Sequence, residues 1–290
     1  MEVLRVYGCR LGMELHRDIG LPLTDQIRLL KAVGFEGFFA YWEPGMDVAE
    51  LRRTADEEGM VFQSLHAPSG PYARWLWYQC EETGRALGTF LDCLRTCAAN
   101  AVPIMVLHSF YGFDLHEPTP LGIRNYGMII EEARRLGVRV ALENLEGEEY
   151  LAALLTHFRD DPCVGFCWDS GHEACYSHRD LLSEPHHGPQ LIATHLNDNL
   201  GTRDFGGVLT GLDDLHLLPF DGIIDWQDVA ERLSRWHFDD ILMFELKPKG
   251  QPGRHESDAY ARMSPEEYLT TAYMRCCRVA ALLMKARRGR

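Results

Sequence analysis

The sequence predicts an α/β fold, a single (β/α)8 barrel. Short apolar runs that resemble strands alternate with helical patterns along the whole chain, which is typical of a parallel sheet. Eight such runs in 290 residues give a repeat of about 36 residues, and that number favours closure into a barrel. A doubly wound open sheet fits less well, because the segment GCRLG at 8–12, after the first run, lacks the glycine spacing of dinucleotide-binding turns.

The predicted strands are short and rich in β-branched and aromatic residues. They are Leu4–Tyr7, Gly37–Tyr41, Val61–Leu65, Ile104–Leu107, Val138–Leu142, Val164–Trp168, Leu191–Thr194 and Ile241–Phe244. Apolar residues at helical spacing separate most of these strands. The predicted helices are Asp25–Val33, Val48–Glu58, Gln79–Ala99, Gly122–Leu136, Glu148–Phe158, Trp226–His237 and Pro265–Lys285.

Residues typical of helix ends support these bounds. We predict N-caps at Thr24, Asp225 and Ser264, the last followed by a first-turn proline and two acids. The glycines that we expect at left-handed C-caps are Gly34, Gly59 and Gly137. No linker, low-complexity tract or basic tail divides the chain, so we expect a single domain over residues 1–290.

The composition is that of an ordinary globular chain, with 46% hydrophobic and 25% charged residues. No apolar run reaches the roughly 18 residues of a membrane helix, and no signal peptide precedes the first strand, so we expect a cytoplasmic protein without membrane contact. The nine cysteines include no Cys-x-x-Cys pair, and we interpret them as reduced core residues. The net charge of −14 disfavours nucleic acid only weakly, since a basic groove or a metal cluster would still bind phosphates.

Six consecutive predicted strands end in a residue of a metal-ligand type. These residues are His66, His108, Glu143, Asp169, His195 and Glu245. One such residue alone would be interpreted as a helix cap, a solvated loop residue or a hydrogen-bonded core histidine. In a parallel barrel, however, the carboxyl ends of the strands converge on one rim, where clustered carboxylates repel one another unless a cation neutralises them.

Carboxylates mixed with imidazoles suit Mn²⁺, Mg²⁺, Co²⁺ or Zn²⁺, and the lack of a cysteine at any strand end argues against a structural zinc. The sequence therefore predicts a divalent metal site. His172, Asp214 and His216 lie close to the predicted strand ends along the chain and are further candidates. The glycine-rich connection 199–222 has little regular pattern and is predicted to be a lid over the site.

The chain resembles the xylose-isomerase-like superfamily of TIM barrels, which contains sugar and sugar-phosphate isomerases and epimerases together with zinc-dependent apurinic endonucleases. The resemblance covers nearly the whole chain, and its most specific segments are VALENLEG, WDSGH, HLNDN, DDLHLLPFDGIIDW and FELKP. By resemblance to the ketose 3-epimerases, one divalent cation would be bound by Glu143, Asp169, His195 and Glu245. Glu143 and Glu245 would also exchange a proton with the carbon next to a substrate carbonyl, through an enediolate.

The endonuclease branch is the main alternative. It binds three zinc ions through nine ligands, and this chain has a suitable residue at every position, in the order His66, His108, Glu143, Asp169, His172, His195, Asp214, His216 and Glu245. However, Asn199-Leu200 replaces the serine-lysine pair typical of that branch, and HLLPFDGIIDW resembles the sugar-isomerase-like members. The resemblance therefore favours a sugar or sugar phosphate as the partner over nucleic acid.

Under the favoured reading, His66, His108 and His172 would contact substrate hydroxyls or polarise the carbonyl, with Asp214 and His216 as substrate-binding residues or additional metal ligands. Arg203 would be the candidate phosphate contact. The candidates for an apolar wall beside a sugar ring are Trp42, Trp75, Trp77 and Phe110. A metal-dependent lyase acting on oxidised glycosides is a second enzymatic alternative, and a non-catalytic binding module is the least favoured. The sequence is compatible with a homo-oligomer.

Overall fold

The computed structural model describes residues 8–113, 117–177, 179–202 and 211–289 of the chain. In this part of the chain, eight parallel strands form one sheet. The strands are β1 (Leu11–Leu15), β2 (Gly37–Tyr41), β3 (Val61–His66), β4 (Ile104–His108), β5 (Arg139–Glu143), β6 (Val164–Asp169), β7 (Leu191–His195) and β8 (Leu242–Phe244). Their order in the sheet is β7-β6-β5-β4-β3-β2-β1-β8, so each strand lies beside its neighbours in sequence and β8 pairs with β1.

The helices connect the strands on the outside of the barrel. They are α1 (Leu23–Val33), α2 (Val48–Glu58), α3 (Pro71–Trp77), α4 (Thr83–Ala99), α5 (Pro120–Leu136), α6 (Glu148–His157), α7 (Ser170–His172), α8 (Trp226–Arg235) and α9 (Pro265–Arg288). The short α7 continues into a π-helical turn over Glu173–Ser177. This alternation confirms the predicted (β/α)8 TIM barrel.

The barrel closes between β7 and β8 through a side chain and one backbone bridge. Thr194 Oγ1 accepts a hydrogen bond from the Met243 amide at 3.1 Å, and the Leu196 amide donates to the Met243 carbonyl at 2.8 Å. Leu196 forms a parallel bridge with Phe244, just beyond β7. The carboxyl ends of all eight strands therefore meet on one rim.

The first strand of the described barrel is one that was not predicted from the sequence. Leu4–Tyr7 lies outside the described residues, and the first strand of the barrel is β1 at Leu11–Leu15, with all five residues buried. Gly12 and Glu14 interrupt its apolar pattern, which is why the sequence gives a weak strand signal there. Within the described residues, the segment at 8–12 leads into β1.

The helix predictions were correct except at α1, α3, α4 and α7. Thr24 lies inside α1, whose N-cap is Pro22. Helix α3 and the short α7 were not predicted. Helix α4 begins at Thr83 and not at Gln79, because the Thr83 hydroxyl closes a turn before it: this hydroxyl donates to the Trp75 carbonyl at 3.0 Å and accepts from the Cys80 amide at 3.2 Å.

The other predicted caps are confirmed. Asp225 accepts hydrogen bonds from two amides of α8, and Ser264 forms a capping box with Glu267. Gly34, Gly59 and Gly137 adopt the left-handed conformation after their helices.

All nine cysteines are free thiols. Six of them are buried, as predicted, whereas Cys80, Cys163 and Cys277 are partly exposed. The described helices include none that is both long enough and apolar enough to cross a membrane.

Two glycines allow β1, β2 and β8 to pack closely. Gly12 and Gly37 are partners in the β1–β2 register. A Cβ atom on Gly37 would lie 2.5 Å from Ile241 Cδ1 and 2.8 Å from the Val61 carbonyl oxygen. The second contact is with the backbone of β3, so the neighbouring strand would have to shift.

We therefore expect Gly37→Ala to lower the free energy of unfolding by about 1–3 kcal/mol, measured by urea denaturation, because it overpacks the core. Gly88→Ala is the matched control, because nothing lies within 4 Å of a Cβ at that position. Gly88 is inside α4, where alanine is favoured over glycine, so this variant should gain about 0.5–1 kcal/mol. Equal effects of the two substitutions would contradict the packing argument.

Candidate functional site

The six strand-end residues predicted from the sequence lie together at the rim of the barrel. His66, His108, Glu143, Asp169 and His195 are the last residues of β3 to β7, and Glu245 directly follows β8. All six are buried. The structure thus brings the predicted residues together, on the rim where (β/α)8 barrels carry their active sites.

Glu143 lies at the centre of this group. Its Oε2 atom is 3.0 Å from His66 Nε2 and 3.6 Å from His108 Nε2, and its Oε1 atom is 3.1 Å from His195 Nδ1. Burial raises the pKa of the Glu143 carboxyl, but the neighbouring imidazoles, His195 first among them, outweigh burial and hold the pKa well below its usual value. Glu143 is therefore a carboxylate that requires positive charge around it.

Glu245 faces Glu143 across His195. His195 Nδ1 lies 3.0 Å from Glu245 Oε2, and the Tyr41 hydroxyl donates a hydrogen bond of 2.9 Å to Glu245 Oε1. Burial raises the pKa of Glu245, but the charges of His216 and His195 bring it below its usual value. His195 thus joins the two glutamates that the sequence analysis selected as candidate proton-transfer groups.

Asp169 is held by two asparagines and by the turn that follows it. Its Oδ1 atom accepts from the His172 amide at 2.6 Å, and its Oδ2 atom accepts from Asn197 Nδ2 at 2.9 Å. The Asn144 amide group exchanges two hydrogen bonds of 2.8 Å with the Asp169 backbone. Burial raises the pKa of Asp169 to about 6, with the charge of His172 acting in the opposite direction.

His172, Asp214 and His216 form a further group beside the strand ends. His216 Nε2 lies 2.8 Å from Asp214 Oδ2, and His172 Nε2 lies 3.5 Å from Asp214 Oδ1. Asp214 and His216 belong to the connection at 199–222, of which residues 203–210 lie outside the described residues. The predicted lid over that segment, and Arg203 as a phosphate contact, therefore stay predictions.

Three histidines of the site are oriented by backbone carbonyls. The Nδ1 atoms of His66, His172 and His216 lie 2.6, 2.9 and 3.3 Å from the carbonyl oxygens of Ala67, Asn144 and Glu245 respectively. Nδ1 must be the donor in each contact, so Nε2 of the neutral ring carries a lone pair. For His66 and His216, that lone pair faces a carboxylate oxygen at 3.0 and 2.8 Å. Such a contact needs a cation, either a proton or a metal ion, between the two atoms.

The donor set fits a divalent metal ion. Four overlapping groups have ligand atoms within 4.8 Å of one another: His66, Glu143 and His195; His108, Glu143 and His172; His172, Asp214 and His216; and Glu143, Asp169, His195 and Glu245. Among the described residues, both ring nitrogens of the buried His108 lack a hydrogen-bond partner. Ligands bonded at about 2.1 Å in a tetrahedral site are roughly 3.4 Å apart, close to the separations of the site atoms.

Two cavities open next to these groups. One, of about 210 Å³, is lined by His108, His172, Asp214, His216 and Glu245, with Tyr111, Phe113 and Tyr176 at its edge. The other, of about 340 Å³, lies beside the ends of β1 and β2. Tyr41, Ser69 and Lys247 line both cavities.

Several cavity residues were not predicted from the sequence, among them the polar residues Glu14, His16, Tyr41 and Lys247. Glu14 and His16 were missed because β1 was not predicted. Tyr41 ends a correctly predicted strand, and Lys247 follows Glu245 by two positions, so both were detectable as strand-end residues.

Of the four aromatic residues predicted to form a wall for a sugar ring, only Trp42 lines a cavity. Trp77 is buried in the core and donates a hydrogen bond from Nε1 to the Ser109 carbonyl at 2.7 Å. Phe110 is buried against Tyr150, with ring centroids 4.0 Å apart. Trp75 is partly buried against the core, and the Arg85 guanidinium lies over its ring. These three residues serve packing.

Asp198, in the HLNDN segment, ties the connection carrying Asp214 and His216 to β7. Its backbone pairs with that of Leu217 through two hydrogen bonds of 2.9 Å. Its carboxylate Oδ2 accepts from the Phe220 amide at 2.8 Å and from Trp226 Nε1 at 2.9 Å, and Oδ1 accepts from the Ile224 amide at 3.1 Å. The described end of the long connection is therefore fixed beside the site.

We expect Asp198→Asn to lower the free energy of unfolding by about 1–3 kcal/mol, because an NH₂ group would replace one of two buried acceptor oxygens. Asp225→Asn is the control, since asparagine caps a helix about as well as aspartate and this exposed cap should lose less than about 0.5 kcal/mol. Chemical denaturation measures both. Similar losses at the two positions would show that Asp198 does not organise this connection.

Comparison with known proteins gives one family match. The family described as xylose isomerase-like TIM barrel matches residues 27–266. The chain is 27% identical to the uncharacterized protein y4fM of Sinorhizobium fredii (strain NBRC 101917 / NGR234), over 77% of this chain and 78% of that protein.

Solved structures share the fold at lower identity. A crystal structure of the IolI protein with a zinc atom has a TM-score of 0.73 and 18% identity, covering 94% of this chain and 98% of that one. D-Psicose 3-epimerase with D-tagatose, from Clostridium cellulolyticum H10, has a TM-score of 0.68 and 15% identity, covering 93% of this chain and 99% of that one.

Proposed function

The chain belongs to the xylose isomerase-like TIM barrel family, and from this membership together with the geometry of the site we propose that it is a divalent-metal-dependent isomerase or epimerase of a sugar. The observation that carries the proposal is the pair of buried glutamates on either side of His195. Glu143 and Glu245 are both within 3.1 Å of His195 Nδ1, and their ligand atoms lie within 4.8 Å of each other. Among the fold neighbours, the D-psicose 3-epimerase supports this class of reaction, and the IolI structure with a zinc atom supports a metal ion at the site.

The reaction requires removal of a proton from a carbon next to a carbonyl. One glutamate accepts this proton, while the C–H electron pair moves into the carbonyl group and generates an enediolate. An epimerase requires the second glutamate to be protonated when substrate is bound; it gives this proton to the opposite face of the same carbon, and the two glutamates then restore their protonation states by exchange with solvent. In an isomerase, the first glutamate returns its proton to the neighbouring carbon. Both carboxyl groups are anchored at strand ends, which keeps them in place on either side of the reacting carbon.

A divalent cation held by Glu143, Asp169, His195 and Glu245 would supply Lewis-acid stabilisation of the negative charge on the substrate oxygens. Asn144 and Asn197 keep Asp169 in position through the hydrogen bonds described above. His108, with both ring nitrogens unpartnered, lines the smaller cavity and is placed to donate a hydrogen bond to a substrate oxygen. Burial lowers the pKa of His108 to about 3, so its ring is neutral at pH 7.

We expect the purified protein to carry about one divalent cation per chain, and Asp169→Ala and His195→Ala to lose most of it, because each removes a ligand. Asp214→Asn and His216→Ala should retain that cation and weaken sugar binding. Elemental analysis after gel filtration measures the metal, and calorimetric titration with sugars measures binding. Full occupancy in correctly folded Asp169 and His195 variants would contradict the assignment.

We expect Glu143→Gln and Glu245→Gln to lower turnover by about 10²–10⁴-fold, because an amide has nearly the same shape but cannot accept the proton. Glu131→Gln, on the exposed face of α5, is the control and should leave turnover unchanged. The wild-type protein should exchange the hydrogen next to the substrate carbonyl with solvent deuterium, as followed by NMR. Turnover without any such exchange would exclude enediolate chemistry.

A second candidate function is hydrolysis of a phosphodiester at several metal ions, as in the apurinic endonucleases. It is favoured by one observation: the lone pairs of both His66 and His216 face carboxylates, in two separate ligand groups. Two or three tightly bound zinc ions per chain, together with cleavage of abasic duplex DNA, would select this function and reject the sugar isomerase. One metal ion per chain and no cleavage would select the isomerase.

A further inference from the structure

The larger of the two cavities lies outside the four ligand groups. None of these groups contains any residue of its lining. It has a volume of about 340 Å³ and is formed around the ends of β1 and β2, with Leu23, Trp42 and Met46 as apolar lining. Glu14, His16 and Lys247 are its polar residues nearest the barrel rim. Tyr41, Ser69 and Lys247 line both cavities, so the two spaces adjoin at these three residues.

Glu14 is the group in this cavity that lacks a partner. Its side chain is 1% exposed, and its Oε2 atom has no hydrogen-bond partner among the described residues. The nearest imidazole nitrogen, His16 Nε2, is 3.8 Å from Oε1, which is too long for a hydrogen bond. A buried carboxyl oxygen without a hydrogen-bond partner is unfavourable, and a ligand hydroxyl at this position would satisfy it.

His16 supplies the complementary donor. Its Nδ1 atom accepts a hydrogen bond from the Asp18 amide at 3.1 Å, so Nε2 of the neutral ring carries the proton. Nε2 and the Glu14 carboxyl group therefore offer one donor and one acceptor side by side. A sugar presents the same combination, because each hydroxyl group both donates and accepts.

The charges in this cavity disfavour an anion. Arg17 is engaged in an ion pair with Glu43 at the exposed edge, and Lys247 Nζ lies 3.9 Å from Glu245 Oε1. Both cations of the lining thus face carboxylates of the chain. Burial raises the pKa of Glu14, so the two cations decide the preference: a phosphate would have to compete with Glu43 and Glu245 for them, whereas an uncharged polyol would leave both pairings intact.

We propose that this cavity binds an uncharged, hydroxyl-bearing extension of the substrate, such as a second sugar ring, with Glu14 and His16 hydrogen-bonded to its hydroxyls and Trp42 against its apolar face. The proposal rests on the proposed function, since it places the reacting carbons of the same substrate in the smaller cavity. Under this proposal, the substrate is a glycoside with a second sugar unit and not a free sugar phosphate. Lys247 and Tyr41, at the boundary, would contact the link between the two parts.

The test is equilibrium binding to the metal-loaded full-length protein, which needs no turnover. D-Fructose is compared with three glucosyl- or galactosyl-linked ketoses, turanose, lactulose and isomaltulose, and with D-fructose 6-phosphate, by calorimetric titration. We expect at least one of the three disaccharides to bind about tenfold or more tightly than D-fructose, and the phosphate to bind no more tightly than D-fructose. Tightest binding of the phosphate, or disaccharide binding no tighter than that of D-fructose, would overturn the proposal.

Substitution of Glu14 then tests whether the preference for a disaccharide over D-fructose depends on this cavity. Glu14→Leu should lower the affinity for the preferred disaccharide about tenfold, the loss expected for one hydrogen bond to a carboxyl group, and change D-fructose affinity less than about twofold. Glu14→Gln is the matched control, because it keeps hydrogen-bonding atoms at the same place, and should lose less than about threefold. If Glu14→Leu unfolds at a lower temperature than the wild type, Glu14→Met replaces it. Equal losses for both sugars would assign Glu14 a structural role and overturn the proposal.

The outcomes separate this inference from the proposed function. A disaccharide preference that depends on Glu14, without any solvent deuterium exchange, would reject the isomerase and retain the binding site. Deuterium exchange on D-fructose without a disaccharide preference would retain the isomerase and reject the site.

Discussion

The charge of Glu143, buried at the centre of the rim, is the constraint on which the rest of the site depends. This carboxylate belongs to three of the four ligand groups, and it is fully buried. An isolated buried carboxylate is unfavourable by an amount comparable to the net stability of a domain, so it must be paired with positive charge. Metal-free, the chain supplies that charge through His172 and His195, whose pKa values burial lowers but the neighbouring acidic side chains raise well above their usual range. A divalent ion would supply the same charge to several carboxylates at once.

This constraint explains why the surrounding groups are so closely fixed. A one-residue shift of a strand would turn its ligand away from the rim, because side chains alternate between the two faces of a strand. The Asn144 and Asn197 amides position Asp169, and Gly171 leaves room for Asn197, whose Oδ1 atom would be 1.8 Å from a Cβ on residue 171. On the outside of the barrel, Arg232 forms two hydrogen bonds with Glu173, the residue after His172. The turn carrying His172 is therefore anchored from both sides.

Much of this arrangement could be predicted from sequence, since the strands of a parallel barrel are continuous apolar runs and each ligand directly follows such a run. The predictions that were incorrect or incomplete also have physical explanations. β1 was missed because Gly12 is needed for close packing and Glu14 faces a cavity, so that neither residue is apolar. Trp77 and Phe110 looked like binding residues because aromatic side chains near a rim have the same sequence signature whether they face substrate or core. Asp214 and His216 were identified by motif alone, because their position depends on the tertiary contacts of Asp198.

The position of the two cavities indicates how chemistry and specificity are divided around the barrel. β3 to β8 end at or directly before residues of the four groups that could hold a metal ion, whereas β1 and β2 end beside the larger cavity and contribute no residue to these groups. On the proposed function, residues near β1 and β2 are then free to vary with the substrate, because changing them leaves the charge balance around Glu143 intact. Lys247 and Tyr41 are the exceptions, since both face Glu245 and both line the two cavities. Substitution of either would alter recognition and the electrostatic environment of Glu245, the proposed proton-transfer carboxylate, together.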